Sequence, residues 1–285
     1  MLASAEVSQQ WVAGSDGARF WTVTQGRGEL LVLCHGGPGL WDGLGPVAAM
    51  VDDLVRVVRW DQRGCGRSSG TGPHTVARLV DDLDAIRATV GADTLVVGGH
   101  SWGASLALAY ACTHPGRIRG LLYLCGTGIG QDWHSAYHEE ADRRRSLAER
   151  LRLTDLELRQ RTAAEEHEFR VLTWSPDFAR RATAAELAAS LDGPFPINME
   201  ANRQLGAETN GWVEAELAER CRWVDAPAVL LHGQHDPRPV WAIKSLVDAL
   251  PSASIDVIQD AGHHPWLEAP ITLRSSIRAF LSGVA

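Results

Sequence analysis

The stretch "TLVVGGHSWGASLALAYA", residues 94–111, decides the fold. An apolar run, Thr94–Val97, leads into Gly98-Gly99-His100-Ser101-Trp102-Gly103, and an alanine- and leucine-rich segment of helical character follows. A buried strand ending in Gly-x-Ser-x-Gly predicts a very tight turn into a helix. The serine there takes strained backbone angles and its hydroxyl is lifted clear of the sheet, while glycines on either side let neighbouring chain approach without a Cβ clash. Ser101 is therefore a candidate nucleophile. A loop that merely happens to hold Gly99, Ser101 and Gly103 is the competing interpretation, and the partners of the serine must decide between the two.

Outward from this point the same design repeats. "ELLVLCHGGPG" (29–39) and "VRVVRWDQRGCGRSS" (55–69) are short apolar runs that end in glycine-rich loops. Between them and the decisive stretch, Val76, Leu79, Val80, Leu83, Ile86 and Val90 recur at helical spacing, and Gly91 stops the pattern. "RGLLYLCGTG" (119–128), "APAVLLHGQHD" (226–236) and "ASIDVIQDAGHH" (253–264) read as further strands, and "TLRSSIRAFL" (272–281) as a closing helix. At the start, "QQWVA" and "ARFWTVTQ" are strands parted by the turn "GSDG". Buried strands alternating with helices predict an α/β fold: a mostly parallel, twisted sheet covered on both faces. Between 131 and 222 the strand signals vanish and charged helical segments dominate, with 18 acidic against 13 basic residues. The expected organisation is a core of residues 1–130 and 223–285, with residues 131–222 inserted as a helical cap over the site.

Bulk properties narrow the function. The 285 residues are 45% hydrophobic and 22% charged, enough for a sizeable core. A net charge of −8 argues against nucleic acid or an anionic membrane as partner. Five cysteines, at 34, 65, 112, 125 and 221, show no metal-site or disulfide-framework spacing. The opening "MLASAEVSQQWVAG" has neither the basic start nor the apolar core of a signal peptide, and no stretch is apolar enough to span a bilayer. A cytoplasmic protein, compatible with a homo-oligomer, is expected.

A serine nucleophile needs a base within hydrogen-bond reach, an acid to orient that base, and donors for the oxyanion. Each is sought at the carboxyl edge of a predicted strand, where ligands of open parallel sheets collect. Asp236 follows one such strand, with Pro237 and Pro239 beside it, and His263 follows the next. Gly262-His263-His264-Pro265 offers two histidines, and neighbours in an extended loop point opposite ways. His263, directly after glycine, is taken as the base and His264 as a rim or substrate-contacting residue. Glycines of "HGGPG" permit a backbone N–H to aim into the site, so this loop is the expected source of one oxyanion donor and the N–H of Trp102 of the other. A phosphate cradle is disfavoured because no Gly-Lys-Ser/Thr follows. No metal and no organic cofactor is expected, since His232 and His235 complete no ligand set.

"HGGPG", "DQRGCGRS", "GGHSWGASLALAYA", "HGQHDPRPV" and "GHHPWLEAP" together resemble the proline iminopeptidase branch of the α/β-hydrolases, the serine aminopeptidases of family S33. The resemblance implies an α/β-hydrolase fold with Ser101 as nucleophile, Asp236 as acid, His263 as base, and Gly37 with Trp102 at the oxyanion. It also implies a cap that offers acidic residues to the free amine of the substrate. There "INMEANRQL" (197–205) is similar to the family segment carrying the amine-binding glutamate, which would be Glu200. Glu208, Glu214 and Glu216 are candidates for a second acid. Gly36, His264 and Trp266 are the remaining expected substrate contacts. The implied activity is removal of a small N-terminal residue, proline or similar, from a peptide or aminoacyl small molecule through an acyl-enzyme. Competing readings are an esterase, lactonase or amide hydrolase on the same core, including one trimming an aminoacyl group from a biosynthetic intermediate, and a non-catalytic binding protein of the same fold.

Overall fold

The computed structural model describes residues 7–284, so the opening residues of the stretch weighed as a leader lie outside it. Eight strands form one sheet: β1 (Ser8–Ala13), β2 (Arg19–Gln25), β3 (Leu30–Cys34), β4 (Arg56–Trp60), β5 (Leu95–His100), β6 (Ile118–Leu124), β7 (Ala228–Gly233) and β8 (Ala253–Ile258). Their order is β1-β2-β4-β3-β5-β6-β7-β8. The first two pairings, β1 with β2 and β2 with β4, are antiparallel, and the remaining five are parallel.

The strands show why a continuous apolar run was required. In β3, Leu30, Val32 and Cys34 pack on one face of the sheet and Leu31 and Leu33 on the other. In β6, Leu121 and Tyr123 take the first face, Leu122 and Leu124 the second. Side chains alternate across a strand, so a sheet covered on both sides needs apolar residues at every position. The first face is covered by helices Val76–Thr89 and Trp102–Thr113, and the second by Pro270–Val284 with its Leu273, Ile277 and Leu281 stripe. The helix from Trp102 stops at Thr113, where Pro115 starts a tight turn, Pro115–Arg117, because proline cannot continue the backbone ladder.

Among the described residues, no strand lies between Leu124 and Ala228. Six helices occupy that stretch: Trp133–Arg144, Leu147–Glu157, Ala163–Trp174, Arg181–Ser190, Met199–Asn210 and Glu214–Cys221. Their own apolar cluster is small, centred on Phe178, Ala184 and Ala188. Ala201 and Leu205 of Met199–Asn210 and Leu217 and Cys221 of Glu214–Cys221 pack into the core on the first face of the sheet, while ion pairs and caps tie the other helices. Ser146 with Glu149 and Thr162 with Glu165 form capping boxes, and Arg170 joins Glu166 to Asp192. No helix is long and apolar enough to cross a membrane among these residues.

The loop after β4 is a second anchor. Arg63 is almost wholly buried and donates to Asp82 at 2.8 and 2.6 Å and to Asp16 at 2.7 Å, tying helix Val76–Thr89 to the β1–β2 turn. Removing one partner of such a buried pair leaves an uncompensated charge. Asp82→Asn is therefore expected to lower unfolding free energy by about 3 kcal/mol, read as a fall in the urea midpoint at unchanged slope.

Candidate active site

The β5–helix turn is set by backbone crowding. A Cβ on Gly99 would lie 1.9 Å from the Gly103 carbonyl oxygen, and one on Gly103 would lie 2.2 Å from that of Cys34. Only glycine fits at both positions. Between them Ser101 takes φ +57° and ψ −126°, a region L-residues avoid, at the head of helix Trp102–Thr113. The Trp102 N–H is the first of that helix and has no intrahelical acceptor, so it is free to meet a developing negative charge.

Gly36 and Gly37, after β3, run past this turn: a Cβ on Gly36 would sit 3.0 Å from that of Ser101. The loop is held from below. The Gln62 backbone N–H donates to His35 Nε2 at 3.1 Å, and Gln62 Nε2 donates to the His35 carbonyl at 2.8 Å. With Nε2 accepting, Nδ1 carries the proton and donates to the Gly36 carbonyl at 2.8 Å. Burial keeps His35 neutral by pushing its pKa down. The glycine loop after β3 and the polar loop after β4 are thus one scaffold.

His263 lies beyond β8 and Asp236 beyond β7. His263 Nδ1–H donates to Asp236 Oδ2 at 2.6 Å, in the buried floor of the site. His263 and Ser101 line the same cavity, of about 360 Å³, together with Gly36, Gly37, His264 and Trp266. His264 does not meet the acid. Its ring stacks on Phe178, packs edge-on to Trp266, and has Nε2 3.9 Å from Asp177. His100, next to the serine, donates from Nε2 to the His263 carbonyl at 2.9 Å, and burial pushes its pKa down to about 3. It is a neutral prop for the loop. The His263 imidazolium is disfavoured by burial, then by the positive charge of Arg238 and by His100, so its pKa lies well below the ordinary histidine value.

The acidic residues named from the sequence lie elsewhere. Glu200 is exposed, accepts from Gln204 Nε2 at 3.0 Å, and is not part of the cavity wall. Its segment does reach the cavity, through Ile197, Met199 and Asn202. Ile197 precedes the helix, within which Met199 and Asn202 lie three residues apart on one face with Glu200 off it, and Asn202 is fixed by donating to the Pro38 carbonyl at 2.8 Å. Glu208 accepts the Val76 N–H at 2.8 Å, and Glu214 and Glu216 are exposed. The carboxylate that does line the cavity is Asp177, from the cap, and Arg238 donates to it at 2.8 Å. Neither residue stood out in the sequence; the one hint was an arginine wedged between two prolines directly after the acid.

Cys125, His232 and Asp236 approach one another closely enough to surround an ion. Two of the three have protein partners: Asp236 accepts from His263, and His232 Nε2 donates to the Arg238 carbonyl at 2.8 Å.

The family model for the alpha/beta hydrolase fold matches residues 29–270. The proline iminopeptidase of Neisseria gonorrhoeae is 30% identical over 273 residues, covering 83% of each chain. That of Neisseria meningitidis serogroup B is 29% identical over 276 residues, covering 84% of each. Among solved structures, the proline iminopeptidase of Mycobacterium smegmatis has a TM-score of 0.74 at 21% identity, covering 97% of this chain and 98% of its own. A thermophilic esterase from Thermogutta terrifontis scores 0.73 at 23%, covering 97% and 99%. At such identities the two structures speak for the fold, and a peptidase and an esterase fit it equally well. The chain therefore belongs to the α/β-hydrolase fold family and, within it, to the proline iminopeptidase-like hydrolases.

Proposed function

We propose that the protein is a serine hydrolase that releases a small N-terminal residue, proline or similar, from a peptide or aminoacyl amide. Ser101 attacks the acyl carbon while His263 Nε2 takes its proton and passes it to the leaving amine. Asp236 fixes the imidazole with Nδ1 protonated, and the N–H groups of Gly37 and Trp102 receive the oxyanion. Water then clears the acyl-enzyme by the same route. The observation that carries the reading is the His263–Asp236 bond of 2.6 Å in the cavity that Ser101 lines. Similarity to proline iminopeptidases over four-fifths of the chain supports the choice of substrate.

One feature favours a second reading, hydrolysis of an ester or amide whose acyl group is uncharged. The cavity wall contains Trp41, Phe169, Trp174, Leu191 and Met199, and its one carboxylate among the described residues, Asp177, is already paired with Arg238. A buried ammonium without a partner is costly. Rates on proline β-naphthylamide and on short p-nitrophenyl esters separate the two: amide turnover as good as the ester supports the aminopeptidase, ester turnover alone the alternative.

Ser101→Ala and His263→Ala are each expected to lower kcat by about 10⁴–10⁶ while far-UV circular dichroism is unchanged; a serine variant with wild-type turnover overturns the mechanism. Glu200→Gln, by contrast, is expected to keep kcat/KM on proline β-naphthylamide within about threefold, because the exposed carboxylate lies outside the cavity wall. A hundredfold loss restricted to free-amine substrates would return it to the site. The base works only when unprotonated, so activity is lost as pH falls through the pKa of His263. With that pKa held low by burial, the acid limb of kcat/KM is expected below pH 6.5; a limb above 7 contradicts it.

A further inference from the structure

Asp236 has more to do than hold His263. Its carboxylate is fully buried, and an ionised buried carboxylate needs both hydrogen bonds and a counter-charge. Oδ2 is taken by His263, and Oδ1 accepts the Arg238 backbone N–H at 2.9 Å. The counter-charge is the Arg238 guanidinium, whose Nη1 lies 3.4 Å from Oδ1. That guanidinium is clamped in turn: Nη1 donates to Asp177 Oδ1 at 2.8 Å, and the group lies over the Tyr137 ring, 4.4 Å from its centre. Asp177 and Tyr137 both come from the cap.

The cap reaches the base by a second route. The His263 N–H donates to the Asp177 carbonyl at 2.7 Å, and Gly262 is pressed so close that a Cβ there would lie 2.2 Å from that oxygen. Asp177 thus touches the backbone of the base with its main chain and the counter-charge of the acid with its side chain.

We propose that Arg238 and Asp177 are positioning residues, a cap-to-core latch that holds Asp236 in register with His263 and sets the charge against which the imidazolium forms. This rests on the reading of Ser101, His263 and Asp236 given above. The electrostatics follow from counting charges. Asp236 and Arg238 alone sum to zero net charge, which weakens the pull of the carboxylate on an imidazolium. Asp177 restores one negative charge, so the cluster becomes neutral when His263 takes the serine proton. The other groups facing His263 are His100 at the end of β5, His232 on β7 and its neighbour His264; Glu268 holds the Gly262 N–H at 2.7 Å beneath the loop. Burial favours the neutral form of both His100 and His264.

The two halves of the latch act on His263 with opposite sign, which gives the test. The pH dependence of kcat/KM is measured for the wild type, Arg238→Gln, Arg238→Lys and Asp177→Asn, on whichever of proline β-naphthylamide or p-nitrophenyl acetate is turned over. Loss of the positive charge is expected to raise the acid limb by about 0.5 pH unit or more, and loss of the negative charge to lower it by a similar amount. Arg238→Lys, which keeps the charge, stays near the wild type. A merely structural role would lower kcat without moving the limbs apart. Limbs that coincide, or that move in the same direction, overturn the proposal. Should Arg238→Gln fail to fold, Asp177→Asn decides alone, and an unmoved or raised limb overturns it. Failure of the underlying mechanism is recognised separately, because Ser101→Ala would then remain active.

Discussion

The closeness of strand β5 to the helix that follows it is the constraint on which the rest of the site depends. Backbone from Gly99, Gly103 and Cys34 converges so tightly that no Cβ can be accommodated. That convergence forces Ser101 into a left-handed conformation and leaves its hydroxyl at the carboxyl edge of the sheet. Five parallel pairings then carry the loops after β3, β7 and β8 to the same edge. A parallel sheet gathers the ends of its strands on one side, so residues more than a hundred positions apart share one cavity.

Holding those loops still requires buried polar chemistry, and the protein places it in pairs. Gln62 clasps His35 on both sides, and Asp61 receives the backbone N–H groups of Asp42 and Arg67 at 2.8 and 2.9 Å. Arg63 bridges Asp16 and Asp82. The motifs after β3 and β4 belong together because each satisfies polar groups the other leaves open. The cap docks on this scaffold through Asn198, which donates to the Gly64 carbonyl at 2.9 Å, and through Asn202. Its helices are bound to one another mainly by arginine–carboxylate pairs, a composition that resembles solvated helix surface when read along the chain.

The strands, the two-sided sheet and the strand-end positions of Ser101, Asp236 and His263 were legible because each rests on local chemistry. Apolar runs, glycine-rich turns and a proline-flanked aspartate act over a few residues. The proline iminopeptidase-like family could be recognised for the same reason. Glu200 shows where such reading stops. The segment "INMEANRQL" meets the cavity through Ile197, Met199 and Asn202, and which of its side chains enters depends on the helix face that Asn198 and Asn202 clamp to the core. One helical step separates a cavity-lining methionine from an exposed glutamate.

By itself, then, the sequence determined the α/β architecture, the tight turn at Ser101 and the order of the strand-end residues, since these follow from periodicity and from backbone angles that only glycine or proline permits. The tertiary structure decided the charges around His263. Asp177 and Arg238 are 61 positions apart, yet they meet at 2.8 Å. Nothing in the neighbourhood of either residue along the chain announces the other. Their pairing arises only because the docked cap brings a carboxylate down onto the floor of a sheet, where the low polarity of the surroundings makes an unpaired charge intolerable.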